Sequence, residues 1–403
     1  MEAINGSEPD RPMQTLTIPL KKDREFAIMR GHPWVYREAL RALPPDAATG
    51  DEAIVLSHRQ IELGRGYLDI DSPIVIRMVE GERDENLATR VEKRLTAAHA
   101  LRRSLFDPAQ TDAWRLINGE GDGIPGLVID IYGNAAAVQI YSLGLEPLIG
   151  VIARTLPRLM PDLRWIWRRN HVKRASGPAA GLVMGRDMPE KIRFRENGLK
   201  FQTDLQSGQK TGFFLDQRDN RALIRQVARG QRVANVCGYT GAFSVAALAG
   251  GARNVVTVDS AKPALAEAVD NLKLNGFDPS KNPVVTADMY DYLQDPRNGP
   301  FDLLIVDPPS MARNRADLER ASRAYVKLNT LAFGRVAPGG LLFTASCTSQ
   351  FSREAFVEAV TEASRKAGRR ARIIRESFHA TDHPISLAHP EGRYLKGLLL
   401  EVA

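Results

Sequence analysis

Cysteine is almost absent: Cys237 and Cys347 are the only two in 403 residues. That excludes a disulfide framework and a cysteine-rich zinc module. No apolar run reaches the roughly 18 residues needed to span a membrane. The opening residues, MEAINGSEPDRPMQ, lack the basic-then-apolar pattern of a secretory signal. Repeats and low-complexity tracts are missing as well. A charged content of 26% with 32 scattered glycines and 24 prolines argues against disorder, collagen and coiled coil. His32, His171, His379, His383 and His389 show no metal-ligand spacing, so no metal is expected. What remains is a soluble, cytoplasmic globular protein, long enough for two or three domains with substantial cores.

What is present in excess is positive charge, and it is unevenly placed. Residues 1–150 hold 17 Lys/Arg against 23 Asp/Glu, and residues 251–403 hold 20 against 18. Residues 151–250 hold 18 against 7, a local excess of +11. Such a block suits a polyanionic partner, because Lys and Arg displace counterions from phosphates. A solvated basic surface has the same composition. Trp165 and Trp167 beside Arg168, Arg169, Lys173 and Arg174 combine cations with aromatics as an RNA-contact strip does. A hairpin with an exposed basic face is the plainer alternative.

Three segments follow one another along the chain. From about Leu16 to Val79, short apolar runs broken by Gly, Asp and Pro predict a small β-rich domain. Leu87, Val91, Leu95 and Ala98 then recur at three- to four-residue spacing, which predicts an amphipathic helix. Residues 115–142 read as a Gly/Asp-rich turn feeding two strands, with a hinge at Tyr132-Gly133-Asn134. An apolar helix near 145–159, a strand at Trp165–Arg168 and a hairpin around Asn197-Gly198 complete this second part. After Gln217 the rhythm becomes alternating helices and buried strands, the last of them at 340–346. That implies right-handed crossovers and a doubly wound, mostly parallel sheet in an α/β protein.

Three motifs in this last part carry chemistry. In ANVCGYTGAFSVAALAGG (234–251), a strand ends, Gly238 and Gly241 allow a tight turn, and a small-residue helix begins. Asp259 closes the next strand about twenty residues on, where a carboxylate can accept ribose hydroxyls. Nicotinamide and S-adenosylmethionine enzymes share this arrangement; GYTG in place of GxGxxG counts against a dinucleotide. An ordinary strand–turn–helix connection is the bland reading. In FDLLIVDPPS (301–310), a buried strand delivers Asp307 to the edge of the sheet where ligands bind, and two prolines stiffen the loop after it. In LLFTASCTSQFS (341–352), Cys347 leaves the sheet on the same edge among Ser and Thr. A thiolate there can add to an electrophilic carbon, although a free cysteine is more often core packing. Cys237, inside the turn, reads as a packing residue. A thiolate, a carboxylate and a methyl donor are the parts needed to methylate C5 of a pyrimidine, with the base reached unpaired or flipped.

These and further motifs resemble the bacterial 23S ribosomal RNA cytosine-C5 methyltransferases of the RlmI type. The resemblance runs from about residue 20 to 403. It is carried by HPWVY (32–36), NGEGDGIPGLVIDIYG (118–133), QKTGFFLDQRDNR (209–221), NVCGYTGAFSVAALAGGA (235–252), VDPPS (306–310), SCTS (346–349) and DHPISLAHPEGRYLKG (382–397). It implies a PUA-like RNA-binding domain at 14–82, a central α/β domain at 83–205 and a class I, Rossmann-like methyltransferase domain at 206–403. It implies S-adenosylmethionine as cofactor, 23S ribosomal RNA as partner, and leaves open whether the chain pairs with a second copy. By motif match, Asp216, Gln217 and the turn Asn235–Thr240, with Cys237 and Tyr239, would form the cofactor site. Asp259 would hold the ribose, Asp288 would lie near the adenine, Asp307 near the methyl group and base, and Cys347 would be the nucleophile. Two departures stand out: Ser310 replaces the usual Lys after the prolines, and SCT replaces SCS. No cysteine follows Asp307-Pro308-Pro309, so a second thiol cannot assist product release. Nitrogen-directed methylation of a base such as guanine, and a non-catalytic RNA-binding assembly factor, are the competing readings.

Overall fold

A computed structural model describes residues 11–172, 180–206, 212–312 and 315–403. Lys173 and Arg174 lie outside them. The chain forms two compact units. The first comprises the described residues of Met1–Phe194, Asp204–Gly212 and Thr381–Gly392; the second comprises those of Arg195–Thr203, Phe213–Ala380 and Arg393–Ala403.

The first unit opens with β1 (Thr15–Pro19), the single-turn α1 (Phe26–Met29), β2 (Trp34–Tyr36), β3 (Glu52–Leu56), β4 (Glu62–Leu68) and β5 (Ile74–Met78). These five strands form one sheet in the order β1-β3-β4-β5-β2. Ile18, Val35, Val55, Leu68 and Ile76 make its core, as the short apolar runs predict. Helix α2 (Leu87–Leu105) is capped by Asn86, whose side chain accepts from Thr89 N at 2.9 Å. Its buried face carries Leu87, Val91, Leu95 and Ala98, the residues picked out by their spacing. The second sheet consists of β6 (Ala113–Asn118), β7 (Leu127–Tyr132), β8 (Ala135–Ile140), β9 (Trp165–Asn170) and β10 (Ala180–Met184), in the order β10-β9-β8-β7-β6. Helix α3 (Ile149–Leu159) supplies the crossover that lets β8 and β9 run parallel.

Strands β11 (Ile192–Glu196) and β12 (Leu199–Thr203) form the expected hairpin. Its two turn residues, Asn197 (φ 51°) and Gly198 (φ 78°), are both left-handed, the conformation that selects Asn-Gly.

In the second unit, helices and strands alternate: α4 (Arg218–Val227), β13 (Arg232–Val236), α5 (Ala242–Ala249), β14 (Asn254–Asp259), α6 (Lys262–Leu274), β15 (Val284–Thr286), α7 (Met289–Gln294), β16 (Phe301–Val306), α8 (Leu318–Phe333), β17 (Val336–Ser346) and α9 (Arg353–Lys366). Then come β18 (Ala371–Ser377) and β19 (Lys396–Val402). The sheet order is β15-β14-β13-β16-β17-β19-β18. Neighbours from β15 to β17 are parallel, and β19 runs antiparallel between β17 and β18. Strand β16 shows why the sheet is doubly wound. Leu304 and Val306 pack with α8 and α9, while Leu303 and Ile305 pack on the other face with α4 and α5. A strand covered on both faces reads as an unbroken apolar run. Strand order reverses between β13 and β16, so the crevice beyond their carboxyl ends is where a ligand sits in such a sheet. Among the described residues, no helix is long and apolar enough to cross a membrane.

Candidate cofactor and thiol site

The turn after β13 is held in a conformation that few side chains adopt. Cys237 (φ 60°), Tyr239 (φ 46°) and Gly241 (φ 74°) are left-handed, and two of these are not glycine. Such residues cost of order 1–3 kcal/mol each and persist only where the surroundings fix them. Here those surroundings are identifiable. Asp259, at the end of β14, accepts from Tyr239 N through Oδ2 and from Ala261 N through Oδ1, both at 2.9 Å. Gly238 N donates to Val258 O at 2.9 Å. A Cβ on Gly238 would lie 2.6 Å from Thr257 Cγ2, so no larger residue fits without a shift. Below the turn, Asn235 donates to Ser244 Oγ (2.9 Å), which bonds Thr257 Oγ1 (2.7 Å). Thr240 O accepts from Asn271 Nδ2 at 2.9 Å. Asn235 and Thr240 are thus brought in as buried supports.

Cys237 packs against Met289, with its sulfur 3.4 Å from the thioether. Burial pushes its thiol pKa well up, and the carboxylates of Asp259, Asp307 and Asp288 push it further. The cysteine stays protonated, as a packing residue should, and the charges of three of the aspartates read from sequence all act on it. Asp288 also caps α7, accepting from Tyr290 N (2.8 Å) and Asp291 N (3.3 Å). These acids form no metal-binding group among the described residues.

Asp216 and Gln217 lie on a short 3-10 turn, Leu215–Gln217. Phe214, just before them, packs edge-on against Tyr239 at 5.1 Å, which joins this segment to the turn. Asp216 accepts from Tyr394 Oη at 2.6 Å, and Gln217 accepts from Asn220. Arg221 secures the segment by donating to Phe214 O (2.9 Å) and to both oxygens of Glu196 (2.6 Å each).

Asp307 and Cys347 leave neighbouring parallel strands at the same edge. The Cys347 sulfur lies 3.9 Å from Pro308 O. Thr348 fastens the two loops: its Oγ1 accepts from Met311 N (3.1 Å) and Ser310 Oγ (3.3 Å) and shares a 2.8 Å bond with Tyr325 Oη. The two positions that depart from the resemblance, Ser310 and Thr348, therefore touch each other. Burial raises the Tyr325 phenol to about 12. Sequence reasoning noted Thr348 only as a departure in the cysteine motif and missed the roles of Tyr325, Tyr394 and Lys396; for Lys396 the signal was a lysine heading the apolar run KGLLLEV.

The proposed RNA strip lies in the first unit and divides between two faces of β9. Trp165, Trp167 and Arg169 share one face, while Arg168 is on the other with Ile166 and pairs with Glu146. Trp165 donates to Arg186 O (2.8 Å) and Arg169 to Gln206 O (2.7 Å). Tyr141 and His171 stack at 4.8 Å just past the ends of β8 and β9, an aromatic pair that sequence reading did not single out. In the same unit, Trp34 donates to Glu120 (2.9 Å) and packs on His389 at 4.4 Å. Three of the quoted motifs meet there.

The sheet order, the glycine turn and the acid closing β14 define an S-adenosylmethionine-dependent methyltransferase. The family model described as S-adenosylmethionine-dependent methyltransferase matches residues 168–369, and a PUA-like domain model matches residues 18–80. The ribosomal RNA large subunit methyltransferase I of Alteromonas mediterranea is 39% identical over 392 residues, covering 96% of this chain and 98% of that protein. A ribosomal RNA large subunit methyltransferase of Deinococcus radiodurans is 37% identical, covering 98% and 100%. A putative methyltransferase crystallised with SAH superposes with a TM-score of 0.83 at 25% identity, covering 96% of this chain and all of that one. The chain belongs to the ribosomal RNA large subunit methyltransferase I family. Its cofactor is S-adenosylmethionine, and the turn at Gly238, where a Cβ would meet Thr257, leaves its backbone bare for close approach by a ligand of that kind.

Proposed function

We propose that this enzyme methylates C5 of a cytosine in 23S ribosomal RNA through a covalent adduct between Cys347 and C6. The observation that carries the reading is the fastening of the Asp307 and Cys347 loops by Thr348, which holds a carboxylate and a thiol at one sheet edge beside the glycine turn. S-adenosylmethionine supplies a methyl group on a sulfonium. Asp216, Gln217 and the Asn235–Thr240 turn with Cys237 and Tyr239 would hold it, Asp259 at the ribose and Asp288 near the adenine. Asp307 would read the amino edge of the base.

In this scheme the Cys347 thiolate forms an S–C6 bond, and electron density moves to C5, which becomes nucleophilic. With the methyl group moved from the sulfonium to C5, leaving a neutral thioether, a base other than cysteine would take the C5 proton, and the S–C6 bond would break to return the thiolate and restore the C5–C6 double bond. Ser310 occupies the position after the prolines, so no second thiol assists that last step. Trp165, Trp167 and Arg169 are the face proposed to meet RNA, with Arg168 turned to Glu146 on the other face. We retain 14–82, 83–205 and 206–403 as the functional division into PUA-like, central and methyltransferase segments. Cys347→Ala is expected to abolish methyl transfer while cofactor binding stays within a few-fold. RNA carrying 5-fluorocytosine should form a trapped adduct, because fluorine cannot leave as a proton does. Full activity in Cys347→Ala, or N-methylguanosine in place of 5-methylcytidine on nucleoside analysis, refutes the scheme.

A further inference from the structure

Lys396 is the first residue of β19, and its register partner across the antiparallel ladder is Ser346, the residue before Cys347. Its side chain is buried at 4% exposure and makes no ion pair among the described residues. The ammonium instead donates to two main-chain carbonyls of the cysteine loop, Thr348 O at 2.6 Å and Phe351 O at 2.7 Å. An ammonium has three donors, so these bonds leave one hydrogen uncommitted. Burying a lysine is costly unless something compensates, and two carbonyl dipoles do so only in part. The position is unusual for a residue with a purely structural role, since a neutral donor would close the same loop at lower cost.

We infer that Lys396 is a positioning residue for Cys347, holding the loop that presents the thiol and favouring its thiolate form by a nearby positive charge. This rests on the covalent reading above but concerns a separate property, the acidity of the thiol. The proton leaves Sγ for solvent, and the thiolate remains beside the ammonium; no other bond changes. Burial draws the Lys396 pKa down and a charged Cys347 offsets part of that, leaving it at about 8. Coupling is mutual, so the cation lowers the thiol as the thiolate supports the cation. Asp307 and Tyr325 also lie in this region: a charged Asp307 opposes a thiolate by like-charge repulsion, and Tyr325, raised by burial and by the charges of Cys347 and Asp307, stays neutral. Near neutral pH the lysine carries its charge and the effect operates.

The test is the pH profile of iodoacetamide alkylation in the full chain without RNA or cofactor. Modified peptides are quantified by mass, and Cys237, buried and protonated, serves as the internal reference. In wild type, the Cys347 midpoint is expected below the ordinary thiol value of about 8.5. Lys396→Gln keeps an NH2 for the carbonyls but no charge. It should raise the midpoint by about one pH unit or more, with about a tenfold slower reaction near neutrality. Lys396→Arg should stay near wild type. A wild-type midpoint at or above the ordinary value overturns the inference whether or not any variant folds. An unshifted midpoint in Lys396→Gln overturns it too. If Cys347→Ala methylates RNA yet the midpoint shifts as stated, the covalent reading fails and the Lys396 coupling stands.

Discussion

Replacing Asp259 by Asn separates the charge and acceptor count of this residue from its size. The carboxylate accepts two main-chain bonds at 2.9 Å, one from Tyr239 in the strained turn and one from Ala261 at the start of α6. An amide offers one oxygen and one NH2. Whichever way it rotates, one of those main-chain N–H groups then faces another donor. A hydrogen bond to a charged partner contributes about 1.5–3 kcal/mol, and leaving a donor unmet costs a similar amount. If roughly 2–3 kcal/mol of this falls on the conformation that receives the cofactor, affinity drops about 30- to 150-fold. Isothermal titration with S-adenosylmethionine measures it. Asp288→Asn is the control: Asn caps a helix as well as Asp does, so α7 keeps its cap and the loss should be only a few-fold. An Asp259→Asn affinity within threefold of wild type would falsify the assignment of this carboxylate to the turn and the ribose.

Other expectations follow from the same structure. Gly238→Ala must displace Thr257 or open the turn, since the new methyl would sit 2.6 Å from Thr257 Cγ2. About 1–3 kcal/mol of overpacking should appear in urea unfolding together with weaker cofactor binding; unchanged values would mean the turn relaxes freely. Arg102 is fully buried and bonds both oxygens of Asp122 as well as Arg115 O and Asp382 O. Arg102→Met leaves a buried carboxylate without its cation. It should cost about 3–5 kcal/mol, visible in calorimetry as a first-unit transition lower by about 6 °C or more. The histidines His99, His171 and His389 are all held below 6.5 by burial; Arg103 and Arg169 add repulsion at the first two, while at His389 Glu120 and Glu391 offset part of the shift and His32 adds to it. Their unfolded forms take up protons first as pH falls, so their contribution to stability is full above the unfolded value and declines below it. The urea midpoint of the first unit should therefore be lower at pH 5.5 than at pH 7.5, and His389→Gln should narrow the difference. An equal gap in that variant would remove His389 from the account.

What was legible in the sequence is whatever depends on near neighbours along the chain. The α2 face follows from a spacing of three and four, the Asn197-Gly198 hairpin from two left-handed turn residues, and the β13 turn from glycines after an apolar strand. Strand β18 was not legible, because ARIIRES lies on an exposed sheet edge and shows no alternation of burial; β19 was missed although KGLLLEV is a buried apolar run. The tryptophan–arginine strip fails as one surface for the opposite reason: a strand's period of two sends Arg168 away from Trp165 and Trp167. The edge carrying Asp307 and Cys347 depends on contacts that no local pattern encodes. Tyr394 reaches Asp216 across 178 positions, and Lys396 reaches Thr348 O across 48. A lysine in isolation reads as surface. It is buried here because β19 returns antiparallel beside β17 and sets Lys396 opposite Ser346. A separate contact shows how the two departures from the resemblance are accommodated. Ser310 and Thr348 each lose a familiar side chain, but their hydroxyls bond to each other, and Met311 N and Tyr325 complete the cluster. The motif residues thus state which chemistry is present, whereas a buried polar network between distant segments decides how the thiol is held.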